Sequence, residues 1–471
     1  MTASPSHPRR RHRAPAIAAL TASAAVLLAL GSSAALAADD DSDSSTGLPG
    51  STLFVDHEST TWQAAATLDG QAKEDAELLG SYSSATWLSG GTPEEAEATA
   101  DRVVTAAAER GEMPVLVAYD IPYRDCVQYS AGGAPDSADY QEWIDAIVDG
   151  IEGRPATVIL EPDGLGIIPH YVAFDGQADW CQPAELDPTE APADRFQQLN
   201  DAVDSFKASP NTSVYLDGTS SAWLGVADIA NRLYQAGVER ADGFFLNVSN
   251  YQYTENLRYF GNWITECLAY ATEVDPGNWA ACRNQYVGAP DGGALSQYVR
   301  WFDSSVSGET GDSTGDVSAL NAYYADLLSG SGVTPSAHYV IDTSRNANGP
   351  WQYPVGIYGS QHEDWCNPPD RGAGVRPTTV DTGSPYADAL LWVKTPGESD
   401  GKCYRNTDGP QDPERGMEDP DAGQWFVEQA RELVTLADPE LVMPTTDPTP
   451  TATPTETATA TSTPTATPSP T

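Results

Sequence analysis

The sequence predicts an α/β fold, a parallel β/α barrel of the TIM-like kind, on three observations. Seven short apolar runs recur along the chain, each followed by a polar residue. Segments of helical character lie between them, and no glycine-rich nucleotide turn follows any run. Strand and helix in alternation imply a mostly parallel sheet, and seven such units without that turn favour a closed barrel over an open sheet.

The runs, in order, are Leu53–Val55 before Asp56, Val115–Tyr119 before Asp120, Val158–Leu160 before Glu161 and Val214–Leu216 before Asp217. Phe244–Leu246 before Asn247, Tyr339–Ile341 before Asp342 and Leu390–Val393 before Lys394 complete the set. Helical character is read at Pro93–Arg110, Tyr140–Ile151, Ala193–Lys207, Ala222–Ala236 and Val317–Leu328, with a closing helix at Gly423–Leu436. In a barrel the polar strand ends converge on one face, where such folds keep their active sites. Polar residues also begin ordinary loops, but clusters such as Arg124-Asp125, Glu161-Asp163 and Glu398-Asp400 exceed what loop chemistry requires.

The ends of the chain read differently. Residues 1–37 have the parts of an export signal: Arg9-Arg10-Arg11 with Arg13, an apolar run from Ala16 to Leu30, then Ala35-Leu36-Ala37. Cleavage is expected near Ala37, and a membrane anchor is the weaker alternative because the apolar run is short. Residues 38–47 form an acidic, serine-rich solvated stretch, and residues 442–471 a Pro/Thr-rich linker or stalk unable to bury a core. One folded domain is expected between them, over residues 48–441, with no internal repeats.

With 68 acidic against 24 basic residues the net charge is −44. That excess argues against nucleic acid or anionic membranes as partners and suits a secreted, extracellular protein handling a neutral or cationic ligand. The six cysteines, Cys126, Cys181, Cys267, Cys282, Cys366 and Cys403, are even in number, and their wide spacing matches no zinc-ligand pattern. Disulfides are expected, with neighbours in sequence paired so that each bridge ties a loop near a strand end.

The chemistry is concentrated in two stretches. Thr157 to Leu160 reads as a strand buried on both faces, which Glu161-Pro162-Asp163-Gly164 ends abruptly, placing a carboxylate pair at the strand's mouth. After the second run, Tyr119-Asp120-Ile121-Pro122-Tyr123-Arg124-Asp125-Cys126 leads into Ser130-Ala131-Gly132-Gly133, a shaped loop able to approach a ligand closely.

On these motifs the sequence resembles glycoside hydrolase family 6, cellulases that include endoglucanases and cellobiohydrolases. The likeness continues through Leu216-Asp217 with Trp223, Asp364-Trp365-Cys366-Asn367, and Trp392-Val393-Lys394 leading to Glu398-x-Asp400-Gly401. The resemblance implies a distorted, seven-stranded barrel with long active-site loops that hydrolyses β-1,4-glucan with inversion and uses no cofactor or metal. Asp163 matches the family's general acid, Asp125 the second aspartate that tunes it and handles the water, and Asp400 the position proposed as base. Asp217 is expected near the acid, influencing its ionisation. Tyr119 matches a tyrosine beside the distorted sugar ring, and Lys394 and Glu398 match sugar-binding residues. Trp223 and Trp365 match aromatic sugar platforms, Trp62 is a further candidate, and Arg124, Ser130 and Asn250 complete the expected substrate contacts.

Acid-assisted inversion needs a carboxyl that stays protonated and a base acting on a water at the opposite face of the ring. Leu165, Ile167 and a second carboxylate nearby would push Asp163 that way. Two positions depart from the family pattern: Ser220 stands where a histidine is common, and Ala131 where some members carry a serine, with Ser130 beside it. Glu161 is read as a supporting residue.

About 85 residues lie between Asn250 and His338, and Ile168–Pro192 and Asn346–Asp364 are also long. This length favours a roofed, end-acting enzyme releasing cellobiose over an open-cleft endoglucanase. A non-catalytic glucan-binding protein fits less well, since it would need no acid with tuning partners. A peptidase fits least, because neither a His-Glu-x-x-His motif nor a Gly-x-Ser-x-Gly elbow is present. A monomer is the expectation.

Overall fold

The computed structural model describes residues 47–444 except 312 and 360–362. The expected export signal, the acidic stretch up to residue 46 and the linker from residue 445 lie outside the described residues. Seven strands, β1 (Thr86–Leu88), β2 (Val115–Ala118), β3 (Ala156–Leu160), β4 (Thr212–Asp217), β5 (Gly243–Leu246), β6 (His338–Asp342) and β7 (Ala387–Leu391), pair in that order. Every ladder is parallel.

Nine α-helices are described: α1 (Thr60–Thr67), α2 (Gly70–Gly80), α3 (Pro93–Ala108), α4 (Ser137–Ile151), α5 (Ala191–Lys207), α6 (Val226–Gln235), α7 (Thr254–Ala269), α8 (Ser318–Leu328) and α9 (Val427–Thr435). None of the described helices is long and apolar enough to cross a membrane.

The strands are apolar on both faces because both faces are covered. Val115, Val117, Ile159, Tyr215, Phe245, Val340, Ala389 and Leu391 pack together inside the barrel. Their alternate neighbours, among them Leu116, Val158, Leu160, Leu216, Phe244 and Ile341, join the core formed with the outer helices. Among the described residues no ladder joins β7 to β1. Instead Ala85 N donates to Trp392 O at 2.9 Å, and Trp87 Nε1 donates to Val393 O at 2.8 Å. This seam is the distortion of the barrel.

Three sequence expectations are corrected. Leu53–Val55 is not a strand: Leu53 makes a single parallel bridge to Met113, ahead of β2. Asp56, the polar residue after that run, pairs with Arg102 of α3 at 2.9 Å and does not line the central cavity. The first strand is Thr86–Leu88, too short for its apolar pattern to stand out. Finally, part of the stretch between Asn250 and His338 is α7 and α8, whose Trp263 and Tyr324 stack 6.5 Å apart beside Trp301 in the outer core. That part packs outside the barrel and roofs nothing.

Three disulfides form: Cys126–Cys181, Cys267–Cys282 and Cys366–Cys403. The first joins the loop after β2 to the loop after β3, and the third joins the loops after β6 and β7. The mouth of the barrel therefore has two stapled walls.

Candidate active site

At β3's end the chain turns within three residues, with Glu161 (φ 55°) and Asp163 (φ 65°) both in the left-handed region. A side chain at Gly164 would approach Glu161 O to 2.7 Å, so glycine is required for the turn. Glu161 points into the protein, where its carboxylate accepts from Asp120 N at 3.0 Å and Ile121 N at 3.1 Å. Burial raises it to about 7 against those two donors. Buried Arg195 of α5 donates to Gly164 O and Ile167 O at 2.8 Å and to Pro122 O at 2.7 Å. Glu161 and Arg195 thus fix the loops after β2 and β3 to each other and hold Asp163 at the wall of the cavity.

That cavity has a volume of about 480 Å³. Asp163 and Asp125 line it with Asp400. Burial pushes the Asp163 carboxyl well above its usual range, and the negative charges of Asp217, Asp125 and Asp400 push it further. Asp125 (φ 58°) accepts from Ser130 N at 2.9 Å, and burial still raises it to about 6.

Asp217 sits behind the wall. Its carboxylate accepts from Leu165 N at 3.1 Å, Gly166 N at 3.0 Å and Thr219 N at 2.8 Å. Burial outweighs these donors and raises it to about 6. The same backbone segment sets an aromatic wall, since a Cβ at Gly166 would lie 2.5 Å from the Trp223 ring. Trp223 packs further on Ile167 and the Cys126–Cys181 bridge.

Asp400 has the opposite environment. Its Oδ2 accepts from Arg345 Nη1 at 2.9 Å, Asn367 N at 3.0 Å and Tyr251 Oη at 3.2 Å, and Lys394 Nζ lies 3.7 Å from Oδ1. Burial alone would raise this carboxyl, but Arg345 and Lys394 outweigh it and hold it below the usual range.

Of the other sequence candidates, Tyr119, Ser130, Trp223, Asn250, Trp365 and Lys394 line the cavity. Four do not. Arg124 lies behind Tyr119, its guanidinium 4.6 Å from the ring centre and bonded to Tyr119 O and Ser130 O, where it braces the loop. Glu398 receives the Thr60 hydroxyl, and Asp217 is covered as described. Trp62 donates to Gly80 O at 2.9 Å and lies between α1 and α2, apart from the residues that line this cavity. The cavity also contains residues that sequence reasoning missed: Trp87, set edge-on to Tyr119 at 5.4 Å, Trp180, Tyr251 and Gln128. Arg345 was legible in principle, three residues beyond the polar strand end Asp342.

One grouping of ligand-type side chains is found among the described residues, Cys403, Asp412 and Asp419. It does not fit a metal: Cys403 is in a disulfide, Asp412 is paired with Arg405 at 2.9 Å, and Asp419 accepts from Asn367.

A family model described as "Glycosyl hydrolases family 6" matches residues 48–437. The chain is 32% identical over 355 residues to "Endoglucanase A" of Thermobispora bispora, covering 74% of this chain and 58% of that protein. It is 29% identical over 339 residues to "Probable 1,4-beta-D-glucan cellobiohydrolase C" of Neosartorya fischeri, covering 69% and 62%. The chain therefore spans less than two thirds of the length of either relative. Among solved structures it is similar to the endoglucanase Cel6 of Mycobacterium tuberculosis in complex with methyl-cellobiosyl-4-deoxy-4-thio-beta-D-cellobioside. The TM-score is 0.56 at 30% identity, covering 82% of this chain and 97% of that one.

The raised carboxyls have a consequence for stability. Asp125 and Asp217 at about 6 and Glu161 at about 7 hold protons in the folded protein that the unfolded chain releases near pH 4. Their contribution is complete below pH 4 and is lost as pH rises to 7. Asp400, shifted the other way, contributes above pH 4 and loses that contribution only as pH falls further. Thermal unfolding with disulfides intact should show a higher midpoint at pH 4.5 than at pH 7.5; the reverse order would contradict this assignment.

Proposed function

The chain belongs to glycosyl hydrolases family 6, and on that premise we propose that it hydrolyses the β-1,4-glucosidic bonds of cellulose with inversion, acting from chain ends and releasing cellobiose. The carrying observation is the Asp163 carboxyl, dehydrated and flanked by three carboxylates at the wall of a cavity also lined by Trp223 and Trp365. A carboxyl so placed stays protonated and can donate to the leaving glycosidic oxygen as the bond to the anomeric carbon breaks. Water attacks that carbon from the opposite face, and its proton passes to a carboxylate. Asp400 is ionised as a base must be, and with Oδ2 occupied by three donors, Oδ1 is the atom left to receive the proton. Asp125, close to its ionisation point near pH 6, positions the water and adjusts the acid through its charge. Asp217 acts on Asp163 through space. Tyr119, Ser130, Asn250 and Lys394 supply polar contacts to sugar hydroxyls, and Trp223 and Trp365 supply faces for the pyranose rings.

End action is supported by the walls. Trp180 from the loop after β3, Gln297 from the segment between β5 and β6, and Pro350, Tyr353 and Asp364 from the loop after β6 all line the cavity. The second reading, internal cleavage, is favoured by the 32% identity to an endoglucanase against 29% to a cellobiohydrolase. In either case the protein is proposed to be a secreted monomer, exported by residues 1–37 and bearing a linker over 442–471.

On carboxymethylcellulose the parent enzyme should release soluble sugar with little loss of viscosity, and a rapid viscosity drop would favour the second reading. Asp217→Asn removes a like charge beside Asp163, so the Asp163 pKa should fall. The alkaline limb of the pH profile for cellotetraose hydrolysis should then move to lower pH, whereas an unmoved or raised limb would contradict the coupling.

A further inference from the structure

We propose that Tyr129 is a specificity-determining residue: its phenol latches the two walls of the cavity together and keeps the enzyme acting on chain ends. This rests on the end-acting reading above. One wall consists of the loops after β2 and β3, stapled by Cys126–Cys181, and carries Asp125 and Asp163. The other consists of the loops after β6 and β7, stapled by Cys366–Cys403, and carries Trp365 and Asp400. They face each other over the β7 to β1 seam, where no ladder forms among the described residues and the connection after β1 is only residues 89–92. Neither disulfide crosses from one wall to the other.

Tyr129 does cross. Its hydroxyl accepts from Tyr404 N at 2.9 Å and donates to the Glu363 carboxylate at 3.1 Å. Glu363 is held in turn by Arg405, whose backbone N donates to Oε2 at 2.9 Å and whose Nη1 donates to Glu363 O at 2.7 Å. The guanidinium of Arg405 is fully buried and also paired with Asp412, so the receiving side of the latch is rigid. The Tyr129 ring lies 6.0 Å from Tyr404 and 6.1 Å from Trp365, centre to centre. A Cβ at Gly401 (φ 137°) would come 2.5 Å from Tyr129 Cβ, so the strand of chain next to Asp400 is shaped to admit this side chain. The hydroxyl accepts one bond and donates one, and both go to the opposite wall. Tyr129 itself does not line the cavity.

A polymer can enter a latched cavity only by threading an end, whereas a short oligosaccharide enters either way. Tyr129→Phe keeps the ring packing and removes both hydrogen bonds. The measured quantity is viscosity loss per reducing sugar released from carboxymethylcellulose, with kcat/KM on cellotetraose as the control. The ratio should rise at least about threefold, with cellotetraose hydrolysis kept within about threefold of the parent. Glu363→Ala, which removes the acceptor instead, should raise it in the same direction. An unchanged ratio in both variants, with an end-acting parent, would overturn the latch alone. A parent that already thins the polymer rapidly would overturn the end-acting reading and the latch with it. A fall in cellotetraose hydrolysis as large as that on the polymer would assign Tyr129 to general support of the site and also overturn the proposal.

Discussion

Burying several carboxylates beside one another is the constraint to which the rest of this site answers. Four aspartates cannot all ionise in a dehydrated pocket, and the protein resolves this by giving each a different surrounding. Asp400 receives two cations and two neutral donors and keeps its charge. Asp217 receives three backbone N–H groups, which partly offset its burial. Asp125 receives one. Asp163 is the member on which the pressure to stay protonated converges, from burial and from the other three. The result is one pocket that holds a carboxyl driven toward its protonated form beside one driven toward its ionised form.

Holding that arrangement needs stiff loops, and the backbone shows where stiffness is concentrated. Tyr123, Asp125, Cys126, Glu161, Asp163, Thr219, Asn247, Ser249, Asn367 and Cys403 all adopt positive φ without being glycine. These residues cluster on the loops and strand ends that build the cavity, each costing on the order of 1 kcal/mol that the surrounding bonds must offset. The offsets are identifiable: Arg195 across the loops after β2 and β3, Glu161 on two backbone N–H groups, Asn367 spanning Ser399, Gly401 and Asp419. The barrel beneath contributes two packed cores and a seam between β7 and β1.

Much of this was legible in the sequence because period and punctuation coincide there. Six of the seven runs fall on strands, although the last, Leu390–Val393, only overlaps β7 (Ala387–Leu391), and their alternate residues face two different cores. The Glu161-Pro162-Asp163 motif announced its carboxylates but not their directions. Only the fold reveals that Glu161 turns inward to the backbone while Asp163 faces the cavity. The failures have physical causes as well. Thr86–Leu88 is a three-residue strand held by its neighbours, and Leu53–Val55 has the composition of a strand with a single pairing partner. Arg124 and Trp62 have the chemistry of ligand contacts but do not line the cavity, the guanidinium lying on Tyr119 and the indole N–H bonding to Gly80 O. Loop length could not show that part of the stretch between Asn250 and His338 is α7 and α8, which pack in the outer core.

The proposed role of Asp163 as proton donor makes activity depend on the leaving group. In Asp163→Asn, a cellobioside whose leaving group needs no proton, such as a dinitrophenolate, should be hydrolysed at a rate within about tenfold of the parent. Cellotetraose, whose leaving alcohol must be protonated, should be slowed by at least about 100-fold. An equal loss on both substrates would contradict the assignment, because removal of an acid is felt only where a proton must be given.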